Sequence, residues 1–363
     1  MMVNKTYRVA MVGGCGMWGR HYLRAYAQHP YCEIVALVDR AKDRRAEAAA
    51  HYGIDTALDS LDDLLERDKP DIISLALPVA LNRESVIACA EAGISVVSCE
   101  KPIAVSLEDA DEMVRVCEER GTLFSCGTAP LEISHLPETV AWIQEGNIGK
   151  LTAAAIPGGL PVEISGGGCV QLAQLQIATG MSIDWVEGWT LPSVGNYAAA
   201  EASQLESDCP GYGRLGLSGG IVCDVPRPRQ GIACRVSLTG ENGQVWLGGT
   251  QSVLVQGSGA EAAPVYPEWL MQEPKEFFTR VVERLMNAFD TGVMFGPGRV
   301  YHNSLETAIT IKHSHYRNHK RINLPLEDRS LKLYPHPYRN YGGDVAGWES
   351  IGYAAPPGIP QTV

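Results

Sequence analysis

With 363 residues the chain can build two cores of ordinary size and is too long for one. Apolar residues at 45% and charged residues at 20% are globular proportions, which exclude a disordered or fibrous chain. A formal charge of −12, with only short basic stretches at 42–45 and 313–321, excludes a phosphate-tracking surface, so no nucleic-acid partner is expected. Up to residue 127, short apolar runs alternate with longer amphipathic stretches. Strands are expected at 7–13, 33–39, 72–77, 95–99 and 122–126, with helices at 17–28, 41–52, 61–67, 83–92 and 106–120 between them. Ser106, followed by Glu108, Asp109 and Asp111, places a capping hydroxyl and carboxylates at a helix start. This alternation predicts a doubly wound parallel sheet. One more helix is expected at 137–146. Beyond Gly149 the texture changes to strands at 151–156, 185–191, 215–224, 231–239, 243–248 and 252–256, joined by turn chemistry such as Gly240-Glu241-Asn242-Gly243. Helices return at 276–289 and 305–314. The tail from Tyr334 onward is rich in Pro, Gly and aromatics and reads as an extended arm. The expected division is therefore 1–126, 127–330 and 331–363, an α/β Rossmann domain followed by an α+β domain with a large, mostly antiparallel sheet and then the arm.

The first strand runs into Gly14-Cys15-Gly16-Met17-Trp18-Gly19, which is G-x-G-x-x-G between a strand and a helix. The first glycine allows the tight turn, the second allows the backbone to approach a pyrophosphate, and the third allows close helix–strand packing. The helix amino terminus faces the phosphates. Asp39 closes the second strand 20 residues after Gly19, where a carboxylate can accept hydrogen bonds from ribose hydroxyls. That arrangement favours NAD, while the adjacent Arg40 offers a guanidinium that would admit NADP.

A second signature, Cys99-Glu100-Lys101-Pro102 at a strand end, resembles the Glu-Lys-Pro motif of the glucose-fructose oxidoreductase and inositol dehydrogenase family, known as Gfo/Idh/MocA. The resemblance implies the two-domain fold, a nicotinamide cofactor, and Lys101 beside the reacting hydroxyl or carbonyl, with Glu100 in the cofactor wall. It extends to Leu77-Pro78-Val79-Ala80-Leu81-Asn82, which is similar to the family's cofactor loop although Val79 and Asn82 depart from it. Gly146-Asn147-Ile148-Gly149 and Leu324-Pro325-Leu326-Glu327-Asp328 also resemble family segments. The resemblance breaks at the family's acid/base histidine. Aligning Gly168-Cys169 with the corresponding helix puts Val170 and Ala173 at its proton-moving positions. The family's arginine-rich segment is also replaced, by residues 128–135. His135 is then the first candidate for the base, imidazole being suited to proton transfer near neutrality, and Asp184 the second. Gln174 and Gln176 can hydrogen-bond sugar hydroxyls without moving protons. His336, Tyr338 and Arg339 of the tail can reach a pocket, in this chain or a neighbouring subunit.

Ten cysteines are scattered without a Cys-x-x-Cys pair, so neither a disulfide framework nor a metal site is expected. The start lacks the apolar core of a secretory signal and no run of 18 apolar residues occurs, which leads to the expectation of a cytoplasmic protein without a membrane partner. The functional expectation is hydride transfer between NAD(H) and a secondary alcohol or ketone of a sugar, cyclitol or glycoside, by a homodimer or homotetramer. Two alternatives stand beside it: a redox-neutral NAD-dependent enzyme that cleaves glycosides, and a catalytically silent sensor of dinucleotide or sugar.

Overall fold

A computed structural model describes residues 5–127, 133–193, 201–229, 231–248 and 251–360. The amino-terminal part alternates β1 (Tyr7–Val12), α1 (Gly19–Gln28), β2 (Cys32–Val38), α2 (Lys42–Tyr52), β3 (Ala57–Leu58), α3 (Leu61–Arg67), β4 (Ile72–Leu75), α4 (Asn82–Glu91), β5 (Val96–Cys99), α5 (Leu107–Arg120) and β6 (Leu123–Cys126). All five strand pairings are parallel and the order is β3-β2-β1-β4-β5-β6. This is the order that reverses direction between β1 and β4, so a crevice opens beyond their carboxyl ends. Local chemistry sets the helix limits. Ser60 caps α3 by accepting from the Asp62 and Asp63 amides, Ser106 caps α5 by accepting from the Asp109 amide, and Gly53 and Gly121 close α2 and α5 in the left-handed region. Only the two-residue β3 lacked a signal in the sequence, because two half-buried residues carry no periodicity.

The second part contains α6 (Leu136–Gln144), β7 (Leu151–Ala155), α7 (Cys169–Thr179), β8 (Ile183–Thr190), β9 (Gly211–Leu217), β10 (Ile221–Val225), β11 (Cys234–Gly240), β12 (Gly243–Gly248), β13 (Val253–Gln256), β14 (Ala263–Val265), α8 (Phe277–Thr291), α9 (Gly298–Tyr316) and β15 (Ile322–Asn323). Nine strands form one sheet in the order β14-β13-β12-β11-β7-β10-β9-β8-β15, antiparallel at every pairing except β7 with β10. The single strand expected at 215–224 is a hairpin, β9 and β10, because Gly219 and Gly220 turn the chain with φ of +93° and +83°. Helix α7 was not drawn from periodicity, since apolar residues occupy all its sides and nearly all of it is buried.

Helix α8 returns to the first sheet. Its Phe278, Val281, Val282 and Leu285 share a core with Val9, Met11, Tyr22 and Tyr26, so by packing this helix goes with the Rossmann part although the sequence placed it in 127–330. The tail also differs from the extended arm expected of it. It folds into short helices, α10 (Pro337–Tyr341) and α11 (Gly343–Ala346), and a 3-10 turn at Trp348–Ile351. The glycines at 342 and 347 supply the φ of +83° and +86° that set the corners, so the composition that suggested extension instead permits tight bends. Among the described residues, no helix is long and apolar enough to cross a membrane.

Candidate active site

The crevice between β1 and β4 holds a cavity of about 360 Å³. Its floor comes from the glycine-rich turn. Gly13 has φ +76°, and a Cβ there would stand 2.4 Å from the Ala76 carbonyl oxygen; a Cβ on Gly19 would stand 2.0 Å from the Gly13 carbonyl oxygen. Side chains are excluded from both positions, so the turn lies flat against α1 and β4 and presents Gly16, Met17 and Trp18 to the cavity. Gly14 and Cys15 lie just behind, Gly14 packed against Leu23 and Leu37 and Cys15 buried. Burial, then the Asp39 charge, pushes the Cys15 thiol up to about 12, which leaves it a neutral packing group.

Asp39 also lines the cavity. Its carboxylate accepts from the Cys15 amide at 2.8 Å and the Ala41 amide at 2.9 Å, which ties the end of β2 to the glycine turn. Arg40 and Arg44 line the same end, with Leu77 and Pro78 on the opposite wall. At the far end stand Glu100 and Lys101. Glu100 is buried; its carboxylate accepts from the Tyr22 hydroxyl at 2.9 Å and from the Lys101 amide at 3.3 Å, and burial holds its pKa above the ordinary carboxylate value. The Lys101 ammonium lies 5.7 Å from the centre of the Trp18 ring. The structure thus brings the glycine turn, Asp39, Arg40, Leu77, Pro78, Glu100 and Lys101 around one space, although they come from four separate loops.

Other residues expected at the site are elsewhere. Asn82 is fully buried beneath the Lys101 loop, where its side-chain amide donates to the carbonyls of Glu100, Pro102 and Ile103 at 3.0–3.2 Å. It braces the loop and does not face the cavity. His135, half-buried with φ +56°, directs Nε2 to the Gln272 carbonyl at 3.0 Å and packs near Trp269. Asp184 is exposed at the margin of the second sheet, where its carboxylate accepts from the Ser182 hydroxyl at 3.0 Å and its carbonyl from the Leu324 amide. Gln174 is wholly buried in α7. Gln176 donates to the carbonyls of Leu172 and Val300 and to the Ser304 hydroxyl, joining α7 to α9. None of these five lines the cavity. The Asn82 amide nitrogen, the His135 ring, the Asp184 carboxylate and the Gln176 amide nitrogen are engaged with interior or edge partners, which residue type alone could not distinguish from substrate binding. Of the segment 128–135, residues 128–132 lie outside the described residues.

Of the cavity's roof, the sequence offered Tyr338 and Arg339, which do reach it, and His336, which does not line it; the other residues were missed. Tyr338, Arg339, Tyr341, Gly342, Gly343, Asp344, Val345 and Trp348 line the cavity from above, in the same chain. Arg339 donates from Nε to Glu163 at 2.7 Å, and the other oxygen of that buried carboxylate accepts from the His336 amide at 2.7 Å. Nδ1 of His336 accepts from the Tyr338 amide and so caps α10, while burial lowers the imidazole pKa. Burial pushes the Tyr338 phenol up to about 12. At the Asp39 end, Asp344 receives both arms of the Arg44 guanidinium at 3.0 and 2.5 Å and the Trp348 indole N–H at 2.9 Å. The aromatic, proline-rich composition of the tail was the available signal, but it gave no docking position.

The cradle fits a dinucleotide: side chains are excluded where a pyrophosphate must approach, and a carboxylate ends β2. Comparisons with known proteins agree. Residues 7–128 match the family model GFO_IDH_MocA, described as an oxidoreductase family with an NAD-binding Rossmann fold. The 2,7-anhydro-N-acetylneuraminate hydratase of Mediterraneibacter gnavus is 34% identical over 147 residues, 40% of this chain and 38% of that protein. The 1,5-anhydro-D-fructose reductase of Ensifer adhaerens is 30% identical over 200 residues, 52% of this chain and 57% of that protein. The matches thus span well under two thirds of these curated relatives. Among solved structures, the WlbA dehydrogenase from Bordetella pertussis, in complex with NADH and UDP-GlcNAcA, superposes with a TM-score of 0.69 at 21% identity, covering 90% of this chain and all of that one; this likeness concerns the fold. Residues 7–128 thus match the NAD-binding Rossmann domain of the Gfo/Idh/MocA oxidoreductase family, and the rest of the chain shares the fold of the solved structures.

Proposed function

We propose that the protein is an NAD(H)-dependent oxidoreductase acting on a secondary alcohol or ketone of a sugar, cyclitol or glycoside. The observation that carries this reading is that Lys101 and the glycine-rich turn line one cavity of about 360 Å³. A bound nicotinamide would accept or supply the hydride. The chain's own part is positioning and proton control. Gly14, Cys15, Gly16, Met17, Trp18 and Gly19 form the turn under the pyrophosphate, and Asp39 holds the ribose hydroxyls. Leu77 and Pro78 with Glu100 wall the reactive end, and the Lys101 ammonium donates to the reacting oxygen of the substrate. Tyr338, whose phenol stays protonated at neutral pH, supplies a second donor in the same space. With no histidine among the described residues that line the cavity, Lys101 carries the proton transfer. Sugar chemistry is supported by the relatives named above, a reductase of an anhydro-sugar and a hydratase of an anhydro-sialic acid.

One observation favours a second reading. The tail roofs the cavity along its length, which suits a cofactor that stays bound through many turnovers and a redox-neutral reaction that eliminates a glycosidic substituent. The hydratase among the relatives points the same way. Denaturing the purified protein, identifying any released dinucleotide and its redox state, and assaying NADH formation with sugars, inositols and glycosides separates the readings. Substrate-dependent NADH supports the dehydrogenase. NAD retained through purification with substrate consumed and no net NADH supports the redox-neutral enzyme. Dinucleotide bound with no turnover on any substrate would leave a sensor, and absence of dinucleotide binding overturns both enzyme readings.

A further inference from the structure

Three arginines follow Asp39 in close succession, Arg40, Arg44 and Arg45, and guanidinium groups beside the adenosine ribose are what a 2′-phosphate would select. The fold disposes of two of them. Arg45 turns back to donate to the Asp39 carbonyl. Arg44 is gripped by Asp344, which arrives from 300 residues away, accepts both arms of its fork and also accepts from the Trp348 indole. The Trp348 ring lies 5.9 Å from the Arg44 guanidinium carbon, so the fork is held from two sides. Asp39, Arg40, Arg44, Asp344 and Trp348 all line the same end of the cavity. Arg40 also acts electrostatically on Asp344, whose carboxyl is held below its usual range, first by the hydrogen bond from Arg44.

We infer that Asp344, carried by the tail, is a cofactor-selectivity residue. It occupies the bidentate face of Arg44 and adds a second negative charge beside Asp39, so that NAD is accepted and the 2′-phosphate of NADP is refused. The inference rests on the dinucleotide reading of the cavity. In physical terms, a ligand group carrying close to two negative charges would meet two carboxylates, and the cation best shaped to bind it is already engaged. The sequence near Asp39 looks permissive for NADP; the selectivity is supplied from the other end of the chain.

The test is binding, measured by isothermal titration of the full-length protein with NAD and with NADP. Wild type, Asp344→Asn and the double variant Asp344→Asn/Arg44→Ala are compared. Asparagine keeps the shape and the acceptor for Trp348 but loses the charge, so the tail stays docked; an unchanged melting temperature checks this. The expected result is that Asp344→Asn tightens NADP about tenfold with NAD changed less than threefold, and that the double variant loses the gain. An unchanged NADP-to-NAD ratio, or equal weakening of both, overturns the inference and reduces Asp344 to a tail anchor. Wild-type protein that binds neither dinucleotide overturns the cavity reading itself, a different failure.

Discussion

Glycines lead into two helices of this chain, at residues 13–19 before α1 and at 166–168 before α7, and at each start a carboxylate receives backbone amides. At the first, Asp39 takes the Cys15 amide and remains on the wall of a cavity. At the second, Asp208 takes the amides of Ile164, Ser165 and Gly166 and the Ser165 hydroxyl, and is completely buried; Glu163 fills the space over Gly166, where a Cβ would meet its carboxylate at 2.3 Å. The same physics, amides converging on an anion at a helix start, yields a binding cradle in one place and a structural knot in the other. What decides is whether the protein itself supplies all the negative charge. It follows that a glycine run before a helix is evidence for a ligand only when the space above it is left open.

The largest expected effects fall on the two sides of this contrast in opposite ways. Lys101→Ala removes the donor at the open site. Turnover on the identified substrate should fall about a thousandfold while the chemical-denaturation midpoint stays within error, in keeping with the usual contribution of a positioned acid–base group. Asp208→Ala should do the reverse. Leaving buried amides without an acceptor costs about 3 kcal/mol, read as a lower urea midpoint. Activity per folded molecule should be nearly unchanged. A stability loss in the first variant as large as that in the second would break the distinction.

Gly19→Ala probes the cradle more narrowly. The added methyl would lie 2.0 Å from the Gly13 carbonyl oxygen, a backbone atom that cannot swing aside, so the turn must shift. NAD affinity should fall at least tenfold by titration, with about 1–3 kcal/mol lost in stability. Gly16→Ala has room, its nearest atom being 3.5 Å away, and the fold should tolerate it at little cost. Equal stability losses at the two glycines would mean that the turn is not packed as described.

The knot also has a pH signature. Burial, then the neighbouring Glu163 charge, raises the Asp208 pKa from 3.8 to about 6. The folded state therefore binds the proton more tightly than the unfolded state. The stabilisation from this group is fully present below pH 3.8, is lost as pH rises toward 6, and is flat above that. Carboxylates held below their usual range by arginines, such as Asp68 and Asp111, have the opposite slope, so the comparison must be a difference. Unfolding free energy of wild type minus that of Asp208→Asn should decline between pH 4 and 6. A rising difference would contradict the burial of this carboxylate.

These contrasts also explain what could be read in the sequence. Gly14, Gly16, Gly19 and Asp39 were legible because one strand, one turn and the end of the next strand fix their relation locally. Lys101 was legible through its Glu-Lys-Pro setting. Beyond Tyr338 and Arg339 the roof was not, since Arg44 meets Asp344 across 300 residues and no local pattern encodes that contact. Nor was the fate of Gln176, which looks like a sugar-binding amide until α9 supplies Val300 and Ser304 as its partners. Asn82 was placed in the right loop, but with its side chain on the wrong side of it.

The smallest expected effects concern the residues that chemistry alone made attractive. Asp184 is exposed near the start of β8, and its carboxylate accepts from the hydroxyl of Ser182 just before that strand. Its replacement by Ala should cost less than about 0.5 kcal/mol, as surface changes usually do, and leave kcat and KM within twofold. His135 is a finer case, because its ring bonds the Gln272 carbonyl and touches Trp269, and its backbone is in the left-handed region. His135→Asn tolerates that backbone, so a loss of about 1 kcal/mol would report the lost ring contacts and nothing of catalysis. A pH profile of kcat/KM that keeps its shape in this variant agrees with a structural role. Loss of one limb of the profile, with the fold intact, would return His135 to the proton path and mean that the cavity closes around it when substrate binds.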